Sequence, residues 1–207
     1  MLEKLRIHIA QVGFEFERVV IPLIKSKADR VYLITQFKKE DSATEYIKLI
    51  IKELKKERIT DIKMVHCDIN DVYTVLTEIK KIIESEKDNL IYINISSGKK
   101  ISTIAGTMAA MMFKDHNISI TPYYVEPERY ASKFSKVELM SHGVKAIHEM
   151  PTFKINMPKP SLVKVMKFIA KKEEGRRKKE IVDFTYNHIF KETEKVTANR
   201  NMRVNRQ

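Results

Sequence analysis

From Leu5 to Tyr124 the chain switches repeatedly between two hydrophobic periods, and few architectures accept that pattern. Runs rich in β-branched and aromatic residues, at 5–10, 31–35, 62–66, 90–95 and 118–123, read as five strands. Between them, apolar residues fall three and four apart. The four sets are Phe16, Val19, Val20, Leu23 and Ile24; Tyr46, Ile47, Ile50, Ile51 and Leu54; Val72, Val75, Leu76, Ile79 and Ile83; and Ile101, Ile104, Ala105, Met108 and Met112. Each set marks one face of a helix. Ser42, with Glu45 three residues on, is a capping-box pair that predicts the start of the second helix. Strand–helix units repeated four times and closed by a strand predict an α/β fold: a Rossmann-like, mostly parallel sheet with helices on both faces.

After Tyr124 the alternation stops. Pro127 breaks the chain, Val137–Met140 reads as a short strand, and Ser141-His142-Gly143 reads as a turn. Pro151, Pro158 and Pro160 then predict a stiff, extended connection, since proline lacks a donor and restrains the residue before it. The expected organisation is a sensing domain over 1–155 and a small module over 156–207. In that module Leu162, Val165, Met166 and Ile169 predict one short helix, and Ile181, Phe184 and Ile189 a second, with a turn at Glu173–Arg177 between them. An Arg- and Asn-rich stretch, Thr193–Gln207, follows. Two short helices and a basic segment suit a helix-turn-helix, or the first part of a winged helix, minimal or truncated.

The charge is divided along the same line. Of the formal +12, residues 1–153 carry 24 basic against 21 acidic side chains, and residues 154–207 carry 15 against 6. The small module is therefore expected to meet a polyanion, with Arg176, Arg177, Lys178, Lys179, Arg200, Arg203 and Arg206 as candidate contacts to double-stranded DNA and a steep dependence of binding on salt. A solvated Lys-rich tail is the alternative. No apolar run approaches the roughly 20 residues of a membrane helix, and Met1–Arg6 leads straight into a strand, so no membrane association is expected. One cysteine, Cys67, allows no internal disulfide and no cysteine-cluster metal site, which predicts a cytoplasmic protein.

In an open α/β sheet ligands sit beyond the carboxyl ends of the strands. Two loops there have suggestive content. The first is Gln11-Val12-Gly13-Phe14-Glu15-Phe16-Glu17-Arg18, where Gly13 permits a sharp turn or a close approach. The second is Asn94-Ile95-Ser96-Ser97-Gly98-Lys99-Lys100, which runs into a helix of small and apolar residues. Two hydroxyls, a glycine with open backbone N–H groups, lysine charge and a helix N-terminus all suit a phosphate. The loop lacks the leading glycine and the Ser/Thr of a Walker A motif and is no dinucleotide fingerprint, which disfavours ATP hydrolysis and NAD chemistry and predicts no cofactor. A polar loop whose serine caps the helix remains the alternative. His66-Cys67-Asp68 reads as a strand end rather than a metal site, Glu53–Lys55 and Glu78–Lys80 as solvent-facing pairs, and Met108, Met111 and Met112 as core or dimer packing.

A strand ending in Ser96-Ser97-Gly98-Lys99-Lys100, together with Val12-Gly13-Phe14-Glu15 after the first strand, resembles the CARF (CRISPR-associated Rossmann fold) domains. Val12–Val20 and Lys27–Leu33 are similar to archaeal regulators that join such a domain to a winged helix. The resemblance covers about residues 5–155. It implies a homodimer whose paired loops face each other across the two-fold axis and bind cyclic oligoadenylate or a related nucleotide. Carried over, it implicates Gly13, Phe14 and Glu15 from the first loop and Ser96, Ser97, Gly98, Lys99 and Lys100 from the second. It implies a ligand-responsive transcriptional regulator, or alternatively a ring nuclease that uses Lys99 and Ser96 to cleave the cyclic ligand. The arginine–histidine ribonuclease signature of many CARF effectors is absent, His188 having no arginine four to six residues before it. A non-catalytic interaction adaptor is the third reading.

Overall fold

The computed structural model describes residues 3–36, 43–115, 117–131, 140–155 and 158–191. The chain divides into two compact units, Met1–Ile155 and Asn156–Gln207.

In the first unit, β1 (Arg6–Gln11), α1 (Glu17–Lys25), β2 (Arg30–Gln36), α2 (Thr44–Lys56), β3 (Ile62–Cys67), α3 (Val72–Ser85), β4 (Leu90–Asn94), α4 (Lys100–Met112) and β5 (Ser119–Glu126) alternate without a break. The sheet order is β3-β2-β1-β4-β5, all parallel, with β8 (Ala146–Glu149) added antiparallel on β5. Because side chains alternate across a strand, β1 feeds two cores. Ile7 and Ile9 pack with Ile79, Ile83, Ile93 and Ala105 under α3 and α4. Ala10 and Val12 pack with Val19, Leu23, Leu33 and Leu54 under α1 and α2. Burial on both faces is what makes the inner strands read as nearly continuous apolar runs.

Strand order reverses at β1, which pairs with β2 on one side and β4 on the other. The carboxyl ends of β1 and β4 therefore diverge into loops over a single crevice. One helix defect locks that crevice. Pro22 lies inside α1 and offers no N–H, so the carbonyl four residues earlier, on Arg18, is freed within the helix. The Asn94 amide, at the end of β4, donates to it at 2.9 Å, while Asn94 Oδ1 accepts from the Ser96 N–H at 2.9 Å.

The opposite, amino end of the sheet is clasped by charge. Glu86, almost fully buried, accepts from Tyr32 and Arg30, each at 2.6 Å, and Arg30 also reaches Asp61 at 2.7 Å. Within the sheet His8 stacks on Tyr92 at 4.8 Å and touches Ser26 Oγ and the Tyr123 hydroxyl. Burial pushes its imidazole down to about 4, so it is neutral in the fold.

Beyond Tyr124 the structure departs from the expected turn. Ser141–His142 forms β7, paired antiparallel with β6 (Arg129–Tyr130), and Gly143, at φ +69°, ends it. Strands of two residues are too short to show a period, and β8 is an edge strand with three exposed residues of four, so neither carries a hydrophobic signal. Ser42, and residues 137–139 of the expected strand Val137–Met140, lie outside the described residues, although α2 does begin at Thr44.

The second unit holds α5 (Pro160–Ala170), with proline in its favoured first position, and α6 (Lys178–Thr185), which passes into a π-helical turn at Tyr186–Phe190. Phe168 and Phe184 stack at 4.0 Å, His188 stacks on Phe184 at 4.4 Å, and Arg176 covers Phe168 at 4.2 Å. None of the residues of these helices is fully buried. The Thr193–Gln207 stretch, with Arg200, Arg203 and Arg206, lies outside the described residues. No helix among the described residues is long and apolar enough to cross a membrane.

Candidate functional site

The β1–α1 and β4–α4 loops meet backbone to backbone. A Cβ on Gly13 would lie 2.9 Å from the Gly98 nitrogen and 3.0 Å from its Cα, so only glycine permits this approach. The Gly13 N–H donates to Ser97 Oγ at 3.3 Å. Gly98 adopts φ +89°, which turns the chain directly into α4 with Lys99 as its N-cap residue. The first N–H groups of a helix have no partner within it, and they carry the positive end of its dipole. The two loops enclose a cleft of about 380 Å³ lined by Gly13, Phe14, Glu15, Ser96, Ser97, Gly98 and Lys99 from the sequence-predicted set. Arg18, Gln36, Ile69 and Met140 also line it. Lys100, the first residue of α4, is exposed and does not line the cleft.

The side chains divide into free and engaged groups. Lys99 is exposed, and its ammonium donates to Asn70 Oδ1 at 2.6 Å. Asn70 is itself held by Asp68 through its backbone N–H and its amide, each at 3.0 Å. Those bonds from Asn70 hold the Asp68 carboxyl below its usual range, with the Lys99 charge a smaller contributor. The loop after β3 thus presents Lys99 at the mouth of the cleft. Ser96 Oγ accepts from the Val125 N–H at 2.6 Å, which leaves its hydroxyl proton to donate. Phe14 packs edge-on against Tyr46 at 5.6 Å.

Glu15 is engaged differently. One carboxylate oxygen takes the Arg18 guanidinium at 3.1 Å and the other accepts from the Ser141 hydroxyl. Arg18, 5% exposed, also donates to the Val125 carbonyl at 2.8 Å and lies over the Tyr124 ring at 4.9 Å. The pair is a neutral, buried floor to the cleft, and it ties the first loop to β5 and β7. Gln11, Arg18 and Asn94 lie in the two loops that the sequence marked, with no role assigned to them there, and Asn70 was not marked.

No cluster of three or more metal-binding side chains occurs among the described residues. The His66-Cys67-Asp68 run ends β3: His66 bonds Thr35 at 2.9 Å, and burial pushes the Cys67 thiol up to about 11. In the second unit, Arg176 donates to the Phe168 carbonyl at 3.3 Å as it stacks on that ring. Arg177 is the N-cap of α6, its N–H bonded to Glu180 at 3.1 Å, and Lys178 and Lys179 are exposed in the first turn.

Residues 6–130 match the family described as HFX_2341_N-like, N-terminal. The uncharacterised protein MJ1513 of Methanocaldococcus jannaschii is 32% identical over 195 residues, which are 82% of this chain and 58% of that relative. The chain thus spans somewhat more than half of that relative's length. Among solved structures, Enterococcus italicus Csm6 bound to cyclic hexa-2'-fluoro-hexa-dAMP is similar at a TM-score of 0.51, with 12% identity over 82% of this chain and 46% of that one. Can2 from Sulfobacillus thermosulfidooxidans in complex with cyclic tetra-adenylate gives 0.49, with 16% identity over 58% of this chain and 32% of that one. The Csm6 likeness is one of fold: a Rossmann-like, mostly parallel sheet with helices on both faces.

Proposed function

The chain belongs to the HFX_2341-like N-terminal family, and on that footing we propose that it is a homodimeric regulator whose first unit senses cyclic oligoadenylate or a related nucleotide. The observation that carries this reading is the contact of Gly13 with Gly98 at the switch point of the sheet, beside a helix N-terminus and Lys99. Exposed N–H groups and a lysine at one spot suit a phosphodiester better than a neutral metabolite. The Csm6 structure with the same kind of sheet holds a cyclic nucleotide, which supports the assignment.

An exposed apolar face on α4 supports the dimer. After Lys100 this helix has no charged residue, and Ile101, Ile104 and Met108 are all exposed on one face. That face starts at the ligand loop. A ring of several phosphates exceeds what one Ser-Gly-Lys loop can hold, and a second copy packed on α4 supplies the same loop again across a two-fold axis. The basic second unit is then present twice, and Arg177, Lys178 and Lys179 at the start of α6 would contribute charge for the phosphates of double-stranded DNA. A shift between subunits on ligand binding would alter the spacing of the two basic units.

Isothermal titration of the wild type and of Lys99→Ala with cyclic tetra-adenylate and cyclic hexa-adenylate tests the site. The variant is expected to bind at least about tenfold more weakly, since it keeps the backbone donors but loses the charge at the mouth. Equal affinity would remove Lys99 from the contacts. Chromatography of the same mixtures reports on the ring-nuclease alternative, in which Lys99 would stabilise charge at the attacked phosphate: linear oligoadenylate would appear with the wild type and not with the variant.

A further inference from the structure

Gln11 occupies a position that the packing reserves for an apolar side chain. It continues the Ile7–Ile9 row of β1 on the face covered by α4, and it is 1% exposed. Its amide nitrogen donates to the Ser102 carbonyl, in the first turn of α4, at 2.5 Å. Its Oε1 is buried and has no hydrogen-bond partner among the described residues. A polar group buried half-satisfied in this way costs stability, so its presence in the core needs another reason.

Two glycines keep room for it. A Cβ on Gly98 would lie 2.9 Å from Gln11 Cβ and 3.2 Å from Oε1, and a Cβ on Gly106 would lie 2.8 Å from the amide nitrogen. The side chain therefore fills the space directly beneath the turn of the ligand loop and grips the helix that the loop starts. The unpaired oxygen lies against Gly98 itself, the residue whose backbone lines the cleft.

The geometry points to Gln11 as a positioning residue of the nucleotide site. Its carboxamide holds the first turn of α4 from below, so that the loop keeps the shape in which the N–H groups at Gly98 and Lys99 are available to a phosphodiester. This inference rests on the nucleotide-sensing reading. In the ligand-free protein Gln11 contributes little net stability, because the bond to Ser102 is offset by the unpaired acceptor. Its effect is on the bound state.

The test compares the wild type with Gln11→Met and Gln11→Glu, using titrations with cyclic tetra-adenylate and cyclic hexa-adenylate at pH 8 and pH 5.5, and urea midpoints without ligand. Gln11→Met, similar in volume and without polar amide atoms, is expected to keep the wild-type midpoint and to bind the ring at least about tenfold more weakly. Gln11→Glu places a carboxylate under the anion site at pH 8. On protonation it regains an O–H donor for Ser102, so its affinity relative to wild type is expected to recover at least about threefold between pH 8 and pH 5.5. A merely space-filling residue would leave ring affinity unchanged in Gln11→Met. Wild-type affinity in both variants, or a loss of affinity in step with a loss of midpoint and without recovery at low pH, would overturn the inference. A wild type that binds neither ring would overturn the sensing reading, and with it this one.

Discussion

Gly98→Val is expected to abolish nucleotide binding and to lower stability by about 2–5 kcal/mol. Two costs combine at this one position. The backbone sits at φ +89°, where a β-branched residue clashes with its own carbonyl for about 1–2 kcal/mol. The new side chain would also meet Gln11 Cβ at 2.9 Å and Ser102 Oγ at 3.1 Å, both in the interior, where overpacking costs about 1–3 kcal/mol. The loop can relieve these contacts only by moving away from β1, which separates it from Gly13 and opens the cleft. Gly175→Ala provides the control, since Gly175 has φ +79° but nothing within 4 Å of its would-be Cβ. It should cost about 1 kcal/mol and leave nucleotide binding unchanged. Denaturant midpoints and ring titrations on the two variants separate the backbone cost from the loss of the site.

Glu15→Ala should be at least as damaging to the fold. Removing the carboxylate leaves the Arg18 guanidinium buried, with the Val125 carbonyl and the Tyr124 ring as its remaining contacts. Breaking a buried ion pair from one side costs about 3–5 kcal/mol, because an uncompensated charge stays behind. Ser141 loses its acceptor as well, and with it β7 loses a tie to the first loop. Glu15→Gln, which keeps a carbonyl acceptor, should cost about half as much and hold ring affinity within about threefold, because both Glu15 oxygens already serve the floor of the cleft. A Glu15→Gln protein of wild-type stability with greatly weakened ring binding would instead make Glu15 a direct ligand contact.

What sequence reasoning reached, and what it missed, follows from the range of the interactions involved. The five parallel strands and four helices between Arg6 and Glu126 were legible because each buries a regular stripe of Ile, Val and Leu, and such stripes are local. The meeting of the two loops was legible for a related reason: strand–helix alternation places every ligand loop at the same edge of the sheet. The roles within the site were less so. The resemblance marked Glu15 as a ligand contact, but its bond to Ser141, 126 residues away on a strand too short to have a hydrophobic period, left no sign in the sequence. Asn70 gives no sign of serving Lys99 until α4 and the loop after β3 are side by side. Pro22 in α1 could be read as a defect, but not that Asn94 would use the carbonyl it frees. Arg176 read as a nucleic-acid contact from charge alone, and its stacking on Phe168 depends on how α5 and α6 pack. Charge and periodicity are written residue by residue; the pairing of buried polar groups is written only in three dimensions.

The central claim is that one cyclic nucleotide is held between two copies of the Ser96–Lys100 loop. Native mass spectrometry of the full chain with cyclic tetra-adenylate and with cyclic hexa-adenylate tests it most directly. The account predicts a dimer that takes up a single ring, and a complex that the Gly98→Val protein does not form. Rings bound one per chain, a chain that stays monomeric while binding, or a dimer that takes up neither ring would contradict it.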